Sequence, residues 1–124
     1  KDGDGTTQVA IKQPSGNVGI GTTTPSSMLD IGGSFGSKVT IVSGNTSLNE
    51  THHKVIVTNT ATITLPSAVG IEGREYNIIA SSGIGTVTII GTGGQTIRGE
   101  ASVEMYDAGS IVVISNGTNW ERGS

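Results

Sequence analysis

Eight short segments in which apolar and polar residues alternate constrain the fold of this chain more than any other feature. They are residues 8–12, 38–42, 53–59, 61–66, 74–80, 86–91, 102–107 and 110–115. An alternation with a period of two residues predicts a β-strand that buries one face and exposes the other. No window of the sequence shows a sustained helical period, so we expect an all-β fold.

The composition argues against disorder. Twenty of the 124 residues are glycine, which is roughly twice the average share of about 7%. Disordered chains combine low hydrophobicity with high charge, whereas here 33% of the residues are hydrophobic and 14% are charged. From residue 38 onward a strand recurs roughly every 8–12 residues, a spacing typical of sandwiches and barrels. We therefore expect a small antiparallel β-sandwich or barrel-like domain.

Two of the eight segments break this alternation in part and carry apolar residues on both faces. They contain the sequences NIIA (77–80) and SIVVIS (110–115). Strands have this composition when both of their faces are covered. We expect a second sheet to cover one face and a neighbouring subunit to cover the other.

The chain changes character between residues 32 and 36. Residues 1–33 are glycine-rich and poorly able to form a core, whereas residues 34–124 carry the regular rhythm of strands and turns. The sequence therefore predicts a glycine-rich stalk segment followed by a β-rich knob domain.

The stalk segment contains apolar residues with no cover of their own. Val18 and Ile20 alternate with glycines, and Leu29 and Ile31 follow a few residues later. Alternating glycines leave the opposite face without side chains and allow close backbone approach. The spacing of these four residues shows that they need a partner to bury against.

The residues GNVGIGTTTPSSMLDIGG (16–33) closely resemble a segment found widely in phage tail fibres and related surface fibres. The shared pattern is G-N-V-G-I-G-T-x-x-P, then small residues, then L-D-V/I-x-G. In such fibres three chains wrap around a common axis. The resemblance implies a short intertwined stalk in which Val18, Ile20, Leu29 and Ile31 form the core of a homotrimer.

Much of the remaining chain resembles a second module, which is seen in phage fibre proteins and some bacterial surface proteins. Its motifs occur here as TITLP (62–66), GREYNI (73–78), VTI (87–89), GQTIRG (94–99) and SNGTNW (115–120). Together the two resemblances cover most of the chain. They imply a fibre protein but identify neither its host nor its receptor.

The resemblances imply a non-catalytic structural or receptor-binding part of a trimeric phage tail fibre, located in the virion and mediating attachment to a host surface. The receptor would be a cell-surface glycan or protein. The sequence leaves open a second interpretation, a monomeric carbohydrate-binding or adhesion module of a bacterial surface protein. The two differ because a trimer needs a shared core and a monomer folds alone.

Aromatic residues are the first candidates for receptor contact, because sugar recognition normally uses an aromatic ring with polar neighbours. Tyr106 lies in a polar setting, and Trp120 follows Asn119. Trp120 has a second interpretation, in which it closes the core after the Asn116-Gly117 turn. Loops on rigid scaffolds also carry binding, and the candidate loops are residues 43–51, 80–85 and 91–94.

Motifs for catalysis and metal binding find little support. The chain has no cysteine, no G-x-S-x-G nucleophile motif and no evident pair of carboxylates, so we expect neither an enzyme nor a cofactor. The residues DGDG (2–5) resemble the start of a calcium loop, but Gln13 stands where the closing glutamate belongs. His52 and His53 are adjacent and therefore point to opposite faces of a strand. A trimer axis could gather three copies of one histidine around a metal, but the sequence favours an exposed pair on a strand edge.

Charge and hydropathy exclude two classes of partner. The net charge is −3 and the seven basic residues are scattered, so we expect no nucleic acid. No apolar run approaches the roughly 20 residues of a membrane span, so we expect no membrane insertion.

Overall fold

The computed structural model describes residues 9–12 and 16–123, with side chains from residue 16 onward. All regular structure in these residues is β-strand, and none of them belongs to a helix that could cross a membrane. The chain divides into two compact units, Lys1–Gly36 and Ser37–Ser124.

The first unit contains a three-stranded sheet of β1 (Val9–Lys12), β2 (Asn17–Ile20) and β3 (Leu29–Ile31). Strand β2 lies in the middle, antiparallel to β1 and parallel to β3. The pairing of β2 with β3 sets Val18 beside Leu29 and Ile20 beside Ile31. Residues that pair across a sheet project to the same side, so these four apolar residues share one face.

The second unit contains two sheets. The five-stranded sheet has the order β12-β11-β8-β6-β4 and the four-stranded sheet the order β10-β9-β7-β5. The strands are β4 (Val39–Val42), β5 (Thr46–Ser47), β6 (Lys54–Val57), β7 (Ala61–Thr64), β8 (Glu75–Ala80), β9 (Val87–Ile90), β10 (Ser102–Met105), β11 (Ser110–Ser115) and β12 (Trp120–Arg122).

From β4 to β9 the chain winds alternately through the two sheets. Strands β4, β6 and β8 run parallel in the larger sheet, and β5, β7 and β9 run parallel in the smaller one. Parallel neighbours need a crossover connection, and here each crossover is a strand of the opposite sheet. The result is three stacked coils of a β-solenoid.

After β9 the chain reverses direction and closes the last coil. Strand β10 pairs antiparallel with β9, β11 with β8, and β12 with β11. The reversed strands therefore cap one end of the solenoid, whereas β4 and β5 are the edge strands at the other end.

The core lies between the two sheets. Val55, Ile78 and Ile111 form one row across the larger sheet, and Ile63 and Ile89 face them from the smaller sheet. All five side chains have no exposed surface. β-Branched residues suit these positions because their restricted side chains pack well on a pleated surface.

The structure confirms the all-β fold and places a strand inside each of the eight alternating segments. The expectation of antiparallel sheets is wrong for the coils, where four strand pairs are parallel. The barrel-like alternative is also wrong, since neither sheet closes on itself. Turn residues mark where a strand ends but do not show whether the chain returns to the same sheet or crosses to the other.

Candidate functional site

The apolar face of the three-stranded sheet is exposed. Ile20 is 43% exposed and Leu29 59% exposed, and Val18 and Ile31 are only half-buried. The structure thus brings together the four residues that the sequence singled out for a trimer core. They form a continuous apolar surface, which we call the stalk face.

The opposite face of the same sheet is covered by the loop that joins β2 to β3. Gly19 is buried there, and a Cβ atom at this position would lie 2.5 Å from the carbonyl oxygen of Thr22. Pro25 is buried as well. The loop is fixed at its far end because the backbone N–H and hydroxyl of Ser26 both donate to Asp30 Oδ2, at 2.8 and 3.1 Å. Only the stalk face therefore lacks cover from this loop.

The outer face of the five-stranded sheet carries a second apolar surface. Ile41, Ile56 and Ile79 lie in register across β4, β6 and β8. Ile41 is 68% exposed, and its neighbour on the same face, Val39, is 50% exposed. The second sheet covers the inner side of β8 and β11, as was predicted from the apolar residues on both faces of these two segments. Cover of their outer side by another subunit stays a prediction.

The outer face of the four-stranded sheet is polar by comparison. Thr62 pairs with Thr88, and Thr88 pairs with Glu104. Threonine hydroxyls and a carboxylate remain hydrated at such a surface, so burial there would be costly. The two outer faces of this unit therefore differ in the partners that they suit.

A polar groove of about 590 Å³ lies beside the capped end of the solenoid. Its lining includes the guanidinium groups of Arg98 and Arg122 and the carboxylates of Glu100 and Glu104. The hydroxyl of Ser102 and the buried Ile97 also belong to it. Arginine can bind a carboxylate through two parallel hydrogen bonds, and carboxylates accept hydrogen bonds from hydroxyls. The groove therefore has the chemistry of a binding site for a polar ligand.

Arg98 is held in a two-residue turn. The backbone N–H of Ile97 donates to the carbonyl of Glu100 at 2.8 Å, and the N–H of Glu100 donates back at 3.0 Å. Between them, Arg98 and Gly99 have φ angles of 52° and 81°. Such turns require positive φ at both central residues and favour asparagine and glycine, so arginine is an unusual occupant.

Asn119 and Trp120 fasten this turn to the last strand. The N–H of Thr96 donates to Asn119 Oδ1 at 2.8 Å, and the N–H of Trp120 donates to the Thr96 carbonyl at 2.9 Å. The N–H of Arg98 donates to the Trp120 carbonyl at 2.8 Å. Two of the residues predicted to touch a receptor therefore position the wall of the groove.

The Trp120 side chain is not available as a binding platform. Its ring has no exposed surface, packs 5.6 Å from the ring of Tyr76, and donates from Nε1 to the Pro66 carbonyl at 3.1 Å. The interpretation that Trp120 closes the core is correct, and its proposed ring contact with a receptor is wrong. Asn119 is half-buried and uses its oxygen within the fold.

Tyr106 is the predicted receptor residue that remains exposed, at 63%. Its hydroxyl donates to Glu104 Oε2 at 2.9 Å, which connects it to a residue that lines the groove. The hydrogen bond to Glu104, together with the negative charge of that carboxylate, raises the pKa of Tyr106 above its ordinary value.

Sequence reasoning missed the charged residues of the groove. Arg98 stands in the motif GQTIRG, which served only as evidence of resemblance. Gly99, which lies between two apolar segments, is the residue that signals a turn with positive φ, and Arg98 itself gave no such signal. Arg122 and Glu104 gave no local signal, because only the solenoid topology sets β10 and β12 beside the capped end.

The two histidines serve separate local contacts. His52 Nδ1 accepts from the backbone N–H of Asn49 at 3.1 Å, and His53 Nε2 lies 3.6 Å from Glu75 Oε1. In the part of the chain that the structure describes, no group of three or more His, Asp or Glu side chains could hold a metal ion. The calcium-like stretch at residues 2–5 lies outside that part.

The chain matches no protein-family model, no curated protein and no solved structure in the comparisons with known proteins.

Proposed function

We propose that this chain is a non-catalytic, structural and receptor-binding part of a trimeric phage tail fibre that attaches the virion to a host surface. The observation that carries the proposal is the stalk face. Its four residues are those of the motif that resembles fibre stalks, and the loop from β2 to β3 covers only the opposite side.

A three-stranded sheet this short gains little stability while its apolar face stays in water. Two of its strands have four residues and the third has three, and small sheets need a packed apolar face for stability. Three copies arranged around an axis would bury Val18, Ile20, Leu29 and Ile31 against each other. Burial of apolar surface drives such association.

The second unit offers a rigid body for contact with a receptor. Its core is continuous between two sheets, and it carries a polar groove. A trimer would present three such grooves, and simultaneous engagement would raise the overall affinity well above that of one site. The groove alone equally supports the alternative function, a monomeric carbohydrate-binding or adhesion module on a bacterial surface.

The absolute mass in solution separates these functions. Light scattering after size exclusion, over a hundredfold dilution, should give three chains of 12.5 kDa, or 37.5 kDa. The variant Ile20→Asp places three carboxylates in the shared core and should dissociate the trimer. Thr23→Asp adds the same charge to an exposed residue of the covering loop and should keep the trimeric mass.

A wild-type mass of 12.5 kDa at every dilution would overturn the trimer and favour the adhesion module. Attachment is tested separately by binding of the fluorescently labelled protein to surface polysaccharides purified from a panel of bacteria. Binding would support a receptor-binding role, and its absence from a trimeric protein would reduce the function to a structural one.

A further inference from the structure

We propose that the groove at the capped end binds a saccharide that bears a carboxylate, and that Arg98 pairs with the acid group. The inference rests on the proposed receptor-binding function and names the class of receptor. It requires only the second unit, because all residues of the groove belong to it.

The position of Arg98 indicates a built site. Its backbone has a φ of 52°, a region that side-chain-bearing residues rarely occupy and that clusters at ligand-binding sites. Glycine or asparagine would fill the turn with less strain. Hydrogen bonds from both sides hold the strained residue in place, since Ile97 and Glu100 close the turn and the Trp120 carbonyl accepts from Arg98.

The charges of the lining select the ligand. Arg98 and Arg122 supply guanidinium groups, which match the planar carboxylate with two hydrogen bonds. Glu100 and Glu104 supply acceptors for hydroxyl groups. A densely charged phosphate polymer would be repelled by these two carboxylates, whereas a saccharide with one carboxylate can place that acid at Arg98 and its hydroxyl groups at Glu100 and Glu104. A sugar acid uses both sets of groups.

The size and apolar part of the lining agree with this class. The groove of about 590 Å³ falls inside the range of about 300–1,000 Å³ for small-molecule sites, which suits a short oligosaccharide better than a single ion. The half-buried Val103 adds apolar surface against which the C–H face of a sugar ring can pack. Tyr106 is exposed and is linked to the lining by its hydrogen bond to Glu104.

Arg98→Gly tests the inference without damage to the turn. Glycine adopts positive φ readily, so the backbone is kept while the guanidinium is removed. Lys38→Ala is the matched control, because Lys38 is exposed and precedes β4, at the opposite edge of the five-stranded sheet from β12. Arg98→Lys keeps the charge but loses the two-point geometry.

Binding is measured by titration calorimetry with uronic-acid oligosaccharides and sialylated oligosaccharides, each beside its carboxyl-reduced form. We expect the wild type and Lys38→Ala to bind at least one acidic probe, and its reduced form at least tenfold more weakly. Arg98→Gly should lose at least tenfold in affinity, and Arg98→Lys should fall between. Thermal unfolding of Arg98→Gly should show the fold intact.

Four results would overturn the inference: no binding of any acidic probe, equal binding of the acidic and reduced forms, equal binding by Arg98→Gly and the wild type, or stronger binding of an acidic peptide. The mass measurement keeps this outcome distinct from that of the proposed function. A monomer that binds acidic sugars through Arg98 would support the inference about the groove and overturn the proposal of a trimeric fibre. A trimer that binds no acidic sugar would support the fibre and overturn the inference about the groove.

Discussion

The hydroxyl of Thr40 offers the sharpest test of how the first coil is packed. Thr40 lies in β4, in register with Val55, and Val55 pairs in turn with Ile78. The Thr40 Oγ1 atom is shielded from solvent and, in the described part of the chain, has no hydrogen-bond partner. The row that it joins is otherwise apolar. Thr40→Val should therefore stabilise the second unit.

The size of the effect follows from the cost of a buried hydroxyl without a partner, which is about 1–3 kcal/mol in proteins. The Thr40 residue as a whole is half-buried, so we take the lower end of this range. Valine has the same branching at Cβ and keeps the backbone preference for a strand. We expect the free energy of unfolding to rise by about 1 kcal/mol, which raises the Tm of a domain of 60–100 residues by about 4–8 °C.

Urea and thermal unfolding should be followed at several protein concentrations, since association would add a concentration-dependent term. Thr64→Val is the control, because Thr64 is a half-buried residue on the outer face of the four-stranded sheet. Its effect should stay within about 0.5 kcal/mol. A Thr40→Val protein no more stable than the wild type, beside an unchanged control, would show that the hydroxyl is satisfied in solution and refute the reasoning.

Three further predictions concern the groove and the stalk. Asn119→Ala removes the oxygen that accepts a hydrogen bond from the turn of the groove and should lower the free energy of unfolding by about 1–3 kcal/mol. Asn119→Asp keeps an acceptor oxygen and should retain most of this free energy. Equal losses of the two variants in urea unfolding would contradict the prediction. Glu104→Gln should lower the pKa of Tyr106 towards its ordinary value of 10.0, as measured by tyrosinate absorbance of each protein minus that of its Tyr106→Phe form. Because the pKa of Tyr106 is raised in the folded protein, its hydrogen bond to Glu104 stabilises the fold at pH values below the ordinary pKa. This stabilisation is lost as the pH rises through the raised pKa. An unchanged pKa of Tyr106 in Glu104→Gln would argue against the hydrogen bond. Gly19→Ala places a Cβ atom 2.5 Å from a backbone oxygen and should speed amide hydrogen exchange in β2 and β3. Gly33→Ala is the control, because no atom lies within 4 Å of a Cβ at that position, and it should leave the exchange unchanged. Equal exchange rates in the two variants would refute the packing of the loop against the sheet.

The alternation of residues predicted the strands well because burial on one face is a local property of each segment. The apolar residues on both faces of β8 and β11 predicted that a second sheet covers one face of each strand, and Ile78 and Ile111 are fully buried on that face. The order of strands in each sheet is not local. Whether the chain turns back or crosses over depends on packing between coils, and this is why the sheets contain parallel pairs that the sequence did not predict.

The candidate site divides in the same way. The four residues of the stalk face were identified from spacing and resemblance, because their apolar pattern lies within one short segment. The groove was missed because it joins a turn at Arg98 to a strand end at Arg122, and only the reversed chain direction after β9 brings these together. Trp120 was ambiguous in sequence because an aromatic residue after a turn can face either the core or the solvent.

The direction of the strands also determines how the second unit carries load. Strands β4, β6 and β8 are parallel, β11 opposes them, and β12 opposes β11, so β12 runs the same way as β4. The chain therefore enters this sheet at one end of β4 and leaves it at the other end of β12, on the far edge. Tension between the two ends therefore has a component along the strands, which loads several hydrogen bonds at once, in shear, whereas opposed directions of the two edge strands would place both ends on the same side of the sheet. A unit with this strand order resists a force applied between its two ends. Such resistance is useful in any element that joins a tether to a surface.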